Sequence, residues 1–159
     1  MRTLNSEIKA LEGQAEAHSG RHPGAEIPLS GPGIGVILGA RGSQSSATRG
    51  RYAIARARKN HAGTSPITRR SGKSKTVHAR PVHNDRLIDA LRMQASAAIL
   101  HDPAVRASYD QLKARDVSHN AALRQAGNRL AGILHGRLKT RTIYDGATAW
   151  SNRQDDLAA

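Results

Sequence analysis

The chain has 159 residues, enough for one ordinary domain, but only 3% of them are aromatic and phenylalanine is absent. Alanine makes up much of its apolar fraction, which predicts a small hydrophobic core for a chain of this length. Lys and Arg number 25 against 12 Asp and Glu, and the resulting net charge of +13 favours a polyanion as partner. With no cysteine, no apolar run near the ~20 residues of a membrane span, and no signal peptide, we expect a cytoplasmic protein without disulfides that does not bind membranes.

The first predicted element is a helix from Thr3 to His18. Leu4, Ile8 and Leu11 recur at the spacing of one apolar stripe. A stripe on so short a helix usually belongs to a longer helical hairpin or coiled coil. We therefore interpret residues 1–19 as the end of a coiled-coil helix.

Residues 26–41 contain the glycine-rich core GPGIG between apolar residues. This pattern resembles a helix-hairpin-helix element, in which glycines permit a tight turn and expose backbone N–H groups to a phosphate. An ordinary Gly/Pro turn between two helices explains the pattern equally well. The candidate nucleic-acid contacts in this segment are Gly31, Gly33, Ile34 and Gly35.

A helical segment from Arg51 to Ala62 leads into a predicted basic loop, residues 63–81, with short extended pieces around Ile67 and Val77. No Asp or Glu occurs from Ile27 to Asn84, so an approaching phosphate meets only attraction. The predicted nucleic-acid-binding residues of this loop are Arg69, Arg70, Gly72, Lys73, Lys75 and Arg80.

Ser71 is the candidate nucleophile of the basic loop. A serine hydroxyl can attack a phosphodiester when nearby cations stabilise the alkoxide and the charge on the phosphoryl oxygens. By itself, a serine followed by Gly72 is more often an ordinary surface residue. A phosphate-binding P-loop is excluded, because that motif needs glycine five residues before Gly72, where this chain has Ile67.

No metal site is predicted. The eight histidines are scattered without an HExxH pattern, and His78 and His83 are not spaced for one helical face. The aspartates of the carboxy-terminal half are explained more simply by helix capping and ion pairing.

The carboxy-terminal half is predicted to be helical, with Asp102 and Ser118 as N-caps of its second and third helices. The three helices span about residues 84–100, 102–115 and 118–139. We expect Tyr144 and Trp150 to cover the end of the third helix, and residues 151–159 to form a frayed tail. The predicted fold is mainly α: a helix-hairpin-helix element, then a basic loop and a helical bundle.

These motifs, in this order, resemble the carboxy-terminal region of the IS110/IS116/IS902 family of insertion-sequence transposases. The sequences that carry the resemblance are GPGIG, ARARKNHAGTSPITRRSGKSKTVHARPVHNDRLIDAL and SHNAALRQAGNRLAGILHGRLKTRTIYDGATAW. The resemblance runs from about Thr3 to Trp150 and implies that residues 20–150 are the carboxy-terminal transposase domain. It also implies that Ser71, beside Gly72, is the nucleophile that joins to DNA during strand cleavage and rejoining.

The resemblance further implies partners outside this chain. In the family, a separate RNase H-like domain with four carboxylates binds magnesium, an element-encoded bridge RNA guides the reaction, and the proteins act as oligomers. We expect magnesium only in that amino-terminal domain and no cofactor here. The chain is interpreted as a DNA-binding carboxy-terminal fragment of a transposase; the alternative is a non-enzymatic helix-hairpin-helix nucleic-acid-binding protein.

One segment departs from the family pattern. GSQSSATRG, from Gly42 to Gly50, stands where the family has a continuing helix with an acidic and an aromatic residue. We attribute it to a frameshift, and expect the helix that begins near Gly35 to end by about Gly42.

Overall fold

A computed structural model of the chain describes residues 2–19, 26–35, 37–39 and 52–151. Its elements, in chain order, are α1 (Arg2–Ser19), α2 (Glu26–Leu29), α3 (Ala55–His61), β1 (Ile67–Ser71), β2 (Ser74–His78), α4 (Asp85–His101), α5 (Pro103–Ala114), α6 (His119–Thr140) and α7 (Gly146–Trp150). The mainly α class is confirmed. No described helix combines the length and apolarity needed to cross a membrane. The segment 42–50 and nearly all of the predicted tail lie outside the described residues, so the predictions made for them stay predictions.

Side-chain caps decide where the central helices begin. Asn84 Oδ1 accepts a hydrogen bond from Leu87 N at 3.0 Å and starts α4. Asp102 accepts bonds from two amides in the first turn of α5, at 2.8 and 3.1 Å. Each cap satisfies amides that would otherwise lack an intrahelical partner. Ser118 holds the predicted N-cap position of α6, but its side chain makes no capping hydrogen bond.

The core lies where α4 crosses α6, and α5 packs against both helices. Small residues let the two main helices approach closely: a Cβ added to Gly127 would lie 3.4 Å from Leu91 O. Because alanine buries little apolar area, the stability of this core depends on that close contact. The main buried cluster comprises Ala95, Ala98, Ile99, Val105, Leu123, Ala126, Leu130 and Trp150.

The apolar stripe of α1 is not buried by the described part of the chain. Leu4, Ile8 and Leu11 are 63%, 49% and 64% exposed. The helix itself matches the predicted extent closely. Its stripe therefore adds nothing to the core formed by α4, α5 and α6.

Hydrogen bonds tie the segment after α6 to the start of α5. Tyr144 donates its hydroxyl to Asp102 Oδ2 at 2.7 Å and accepts from Trp150 Nε1 at 3.0 Å. Burial, and then the bond to Asp102, raise the pKa of Tyr144, so its phenol is a donor throughout the neutral range. Trp150 lies against the middle of α6, with Arg129 Cζ 4.3 Å from its ring centroid. Tyr144 lies with Ile133, Leu134 and Arg137 near the end of α6, as predicted. Trp150 was expected there too, but it lies farther back on the helix, beside Arg129.

The GPGIG turn packs against the backbone of α4. Gly33 has a φ of +70°, and a Cβ there would lie 2.6 Å from both Gln94 O and Ala98 N. Gln94 Nε2 also donates to Pro32 O at 3.3 Å. Glycine is required at this position both by its backbone conformation and by the space available.

We predict that Gly33→Ala destabilises the protein by about 3 kcal/mol or more, because alanine brings a strained φ and a backbone clash together. Gly35→Ala is the matched control: a Cβ at Gly35 meets nothing within 4 Å. We expect it to change the free energy of unfolding by less than about 1 kcal/mol. Urea unfolding followed by circular dichroism measures both, and equal effects would contradict the tight packing of the turn on α4.

We predict that Tyr144→Phe costs about 1–3 kcal/mol, because it leaves the N–H of the buried Trp150 without its acceptor. Tyr109→Phe is the control, since it removes an exposed hydroxyl that contacts His119 Nδ1 at 2.8 Å. We expect it to cost about 1 kcal/mol or less. Thermal and urea unfolding should show the larger loss for Tyr144→Phe; a loss for that variant no larger than for Tyr109→Phe would contradict the stabilising role of the Tyr144 network.

Candidate functional site

Ser71 lies at the tip of an antiparallel β-hairpin formed by β1 and β2. Ser71 pairs with Ser74 across a two-residue turn, Gly72–Lys73. Gly72 has a φ of +55°, as the first central residue of a type II′ turn requires. The extended pieces predicted within the basic loop are therefore the two strands of a hairpin that presents the serine at its end.

Strand pairing distributes the cations over two faces of the hairpin. Cross-strand partners share a face, and successive residues alternate between faces. Arg69 and its partner Thr76 therefore share a face with Ser71, whereas Arg70 and Lys75 pair on the other face. Arg69 is the strand cation placed to act beside the serine.

The hairpin is almost entirely solvent-exposed. Every residue of β2 is exposed, and only Ile67 in β1 is partly buried. Ser71 is exposed as well. Among the residues that the structure describes, the hairpin cations make no ion pair. Their charge is thus available to an anion in solution.

Arg80 differs from the other predicted cations because it is half-buried. It lies at the base of the hairpin, the end opposite the Ser71 tip. It donates to Asn60 Oδ1 at 3.3 Å and to Ser65 O at 3.4 Å. His83 Nδ1 lies 3.0 Å from Arg80 O. The bond to Asn60 fastens the hairpin to α3, so Arg80 positions the site in addition to contributing charge.

The glycine turn is not part of the hairpin site. It packs on α4, whereas the hairpin base joins α3. Two of its amides are used within the turn: Gly31 N donates to Pro28 O at 3.1 Å, and Ile34 N donates to Gly31 O at 3.3 Å. The nucleic-acid contacts assigned to Gly31, Gly33, Ile34 and Gly35 remain predictions.

No group of three or more His, Asp or Glu residues that could hold a metal ion occurs in the described part of the chain. The acidic residue nearest in sequence to the hairpin is Asp85, and its Oδ1 lies 3.1 Å from His83 Nε2. Asp110, for which capping or ion pairing was expected, pairs with Arg106 at 2.9 Å. The residues described here therefore do not fit a magnesium site.

A cleft of 710 Å³ opens between the hairpin base and helices α5 and α6. No carboxylate lines it, and its polar and charged side chains include Thr64, His78, Arg80, Arg124, Gln125, Asn128 and Arg129. The residues from α6 were not predicted from the sequence. Their spacing along the sequence indicates that they share one face of a helix. That this face meets the hairpin base depends on how the two elements pack.

Comparison with known proteins identifies the family. The model of the transposase IS116/IS110/IS902 family matches residues 25–110, more than half of the chain. A candidate mini-circle transposase for IS117 from Streptomyces coelicolor is 40% identical over 82% of this chain and 32% of its own length. An uncharacterized 42 kDa protein of insertion element IS900 from Mycobacterium paratuberculosis is 33% identical, over 91% of this chain and 37% of its own length.

An uncharacterized 43.6 kDa protein of insertion element IS110 from Streptomyces coelicolor is 30% identical, over 89% of this chain and 35% of its own length. The chain thus spans about a third of the length of the curated relatives it matches. The resemblance that the ordered motifs indicated is confirmed. The chain belongs to the IS116/IS110/IS902 family of transposases.

Proposed function

We propose that this chain is the part of an insertion-sequence transposase that joins covalently to DNA through Ser71. In this reaction Ser71 Oγ forms a bond to the phosphorus of a DNA phosphodiester. The bond from phosphorus to one deoxyribose oxygen breaks, and that oxygen leaves as a hydroxyl carrying the proton of the serine. Attack by a hydroxyl of another DNA end reverses these steps and rejoins the strands.

The observation that carries this proposal is the placement of Ser71 on an exposed, carboxylate-free hairpin tip beside Arg69. An exposed tip can reach a phosphate in a DNA strand, which a buried serine could not. The Arg69 guanidinium, on the same face, would stabilise the negative charge that develops on the phosphoryl oxygens. Arg70 and Lys75, on the opposite face, would hold neighbouring phosphates and fix the strand.

The groups that activate the serine are proposed to come from elsewhere in the full-length family. The described residues hold no metal-binding cluster, and the chain spans about a third of its relatives. The magnesium expected in the amino-terminal domain would supply Lewis-acid charge stabilisation at the reacting phosphate when bound. In this proposal the chain contributes the nucleophile and the phosphate grip, and a bridge RNA and further copies of the protein complete the assembly.

We predict that covalent attachment to DNA requires Ser71 and not Ser74. Ser74 is the matched control because it pairs with Ser71 at the same exposed tip. The chain is mixed with a full-length relative whose own nucleophilic serine is replaced by alanine, and with labelled DNA carrying the element ends. Denaturing electrophoresis should show an adduct on the unsubstituted chain and on Ser74→Ala, and none on Ser71→Ala.

Two results would contradict the assignment. An adduct on the Ser71→Ala chain would place the nucleophile at another residue. DNA binding with no adduct in any variant, while an active relative forms its own adduct under the same conditions, would favour the alternative, a non-enzymatic nucleic-acid-binding protein. DNA affinity should be nearly equal for Ser71→Ala and the unsubstituted chain, because a neutral hydroxyl adds little to a charge-dominated interface.

We predict that Arg70→Ala and Lys73→Ala each lower the slope of log K against log salt for duplex DNA by about 0.9, one phosphate contact apiece. Arg106→Ala is the control: it removes the same formal charge, but Arg106 is already paired with Asp110 on α5. Its slope should match that of the unsubstituted chain. Unchanged slopes for both hairpin variants would place the duplex-binding surface elsewhere.

A further inference from the structure

We propose that the cleft beside the hairpin base binds an unstacked nucleotide of a single nucleic-acid strand, at a site separate from the Ser71 tip. The cleft measures 710 Å³, within the range of about 300–1,000 Å³ typical of small-ligand sites. In an intact duplex the bases are stacked and paired, so none can occupy the cleft without being extruded from the stack. One nucleotide extruded from a strand matches its size.

The charge of the cleft suits a phosphate. Arg80, Arg124 and Arg129 contribute to its lining and no Asp or Glu does. Arg80 is held in place by Asn60 and Ser65, and Arg129 Nη2 donates to Ala149 O at 3.2 Å. Fixed cations lose little side-chain entropy when an anion binds. Arg124 is exposed and able to close over the ligand.

The remaining lining suits a base and a sugar. Pro66, Val77 and Leu112 provide apolar surface for the flat faces of a base. Thr64 Oγ1 donates to Asn128 Oδ1 at 3.2 Å, which leaves the amide nitrogen of Asn128 to donate to a base edge. Apolar surface next to a few placed polar groups is the usual composition of a ligand site.

The hairpin continues the cationic surface away from the cleft. Val77 lines the cleft and pairs with Thr68, so it shares a face with Lys75 and Arg70. Lys75 lies two residues closer to the hairpin tip on β2, about 7 Å from Val77. His78, on the face of Ser71 and Arg69, also lines the cleft. A strand with one nucleotide in the cleft would therefore have hairpin cations within reach of its next phosphates on either face.

This inference uses the proposed function only in taking nucleic acid as the ligand. The experiment measures binding of the full chain to a fluorescein-labelled single-stranded DNA, an RNA of the same sequence, and the corresponding blunt duplex. Arg124→Ala removes a cleft cation, and Ala121→Phe fills the cleft without a change of charge. Arg86→Ala and Ala107→Phe are their controls, since neither residue lines the cleft and both are exposed.

We expect both cleft variants to weaken single-strand binding by about fivefold or more, and duplex binding by less than about twofold. The controls should leave both affinities unchanged. A loss of affinity for the single-stranded DNA, for the RNA or for both supports the site. It also identifies which kind of single strand the cleft binds. Single-strand affinities within about twofold of the control values for both cleft variants, or equal losses with duplex, would overturn it.

Two further measurements keep these outcomes interpretable. Thermal unfolding of each variant confirms that a loss of affinity is not a loss of fold. Photocrosslinking of an oligonucleotide containing 4-thiothymidine or 4-thiouridine should label the peptide containing residues 121–129 in the unsubstituted chain and not in Ala121→Phe; equal labelling of both would overturn the proposal. The Ser71 adduct assay is independent, so failure of the cleft proposal and failure of the proposed function give different results.

Discussion

The close crossing of α4 over α6 is the constraint on which the rest of the structure depends. With 3% aromatic residues and no phenylalanine, the chain cannot fill wide gaps between helices. Gly127 allows α6 to approach the backbone of α4 at Leu91. At this short distance even the small alanine side chains beside it make van der Waals contact across the two helices. The GPGIG turn packs on one part of α4, at Gln94, and α5 packs against both helices.

The hairpin follows the opposite principle, because it contributes almost no buried surface. An isolated two-stranded hairpin is marginally stable in water, and here the like charges of Arg70 and Lys75 face each other across the strands. The hairpin is attached to the helical part of the protein at its base, where Arg80 donates hydrogen bonds to Asn60 and Ser65. A polyanion would relieve the repulsion along the strands. The hairpin is thus suited to gain stability when nucleic acid binds.

The catalytic proposal and the cleft proposal use different parts of one basic surface. The tip offers a hydroxyl with a cation on its own face, which suits chemistry at a phosphate. The cleft offers a concave surface, two arginines held by hydrogen bonds and the amide of Asn128, which suits recognition without chemistry. Both depend on the absence of carboxylates from Ile27 to Asn84, since one buried or neighbouring acid would neutralise a cation that either site needs.

The sequence by itself determined the helices, the family and the candidate serine. Helical periodicity and caps such as Asp102 are local, so α1, α4, α5 and α6 were predicted closely. The GPGIG motif was found by its glycine spacing, and Ser71 by the cations around it and by the resemblance to the family. Tertiary structure decided what distant residues share. Strand register placed Arg69, and not Arg70, beside Ser71. The cleft forms because the hairpin base lies beside α6. The hydrogen bond from Tyr144 to Asp102 holds the segment after α6 against the start of α5. These contacts join residues far apart in sequence, and no local pattern encodes which faces meet.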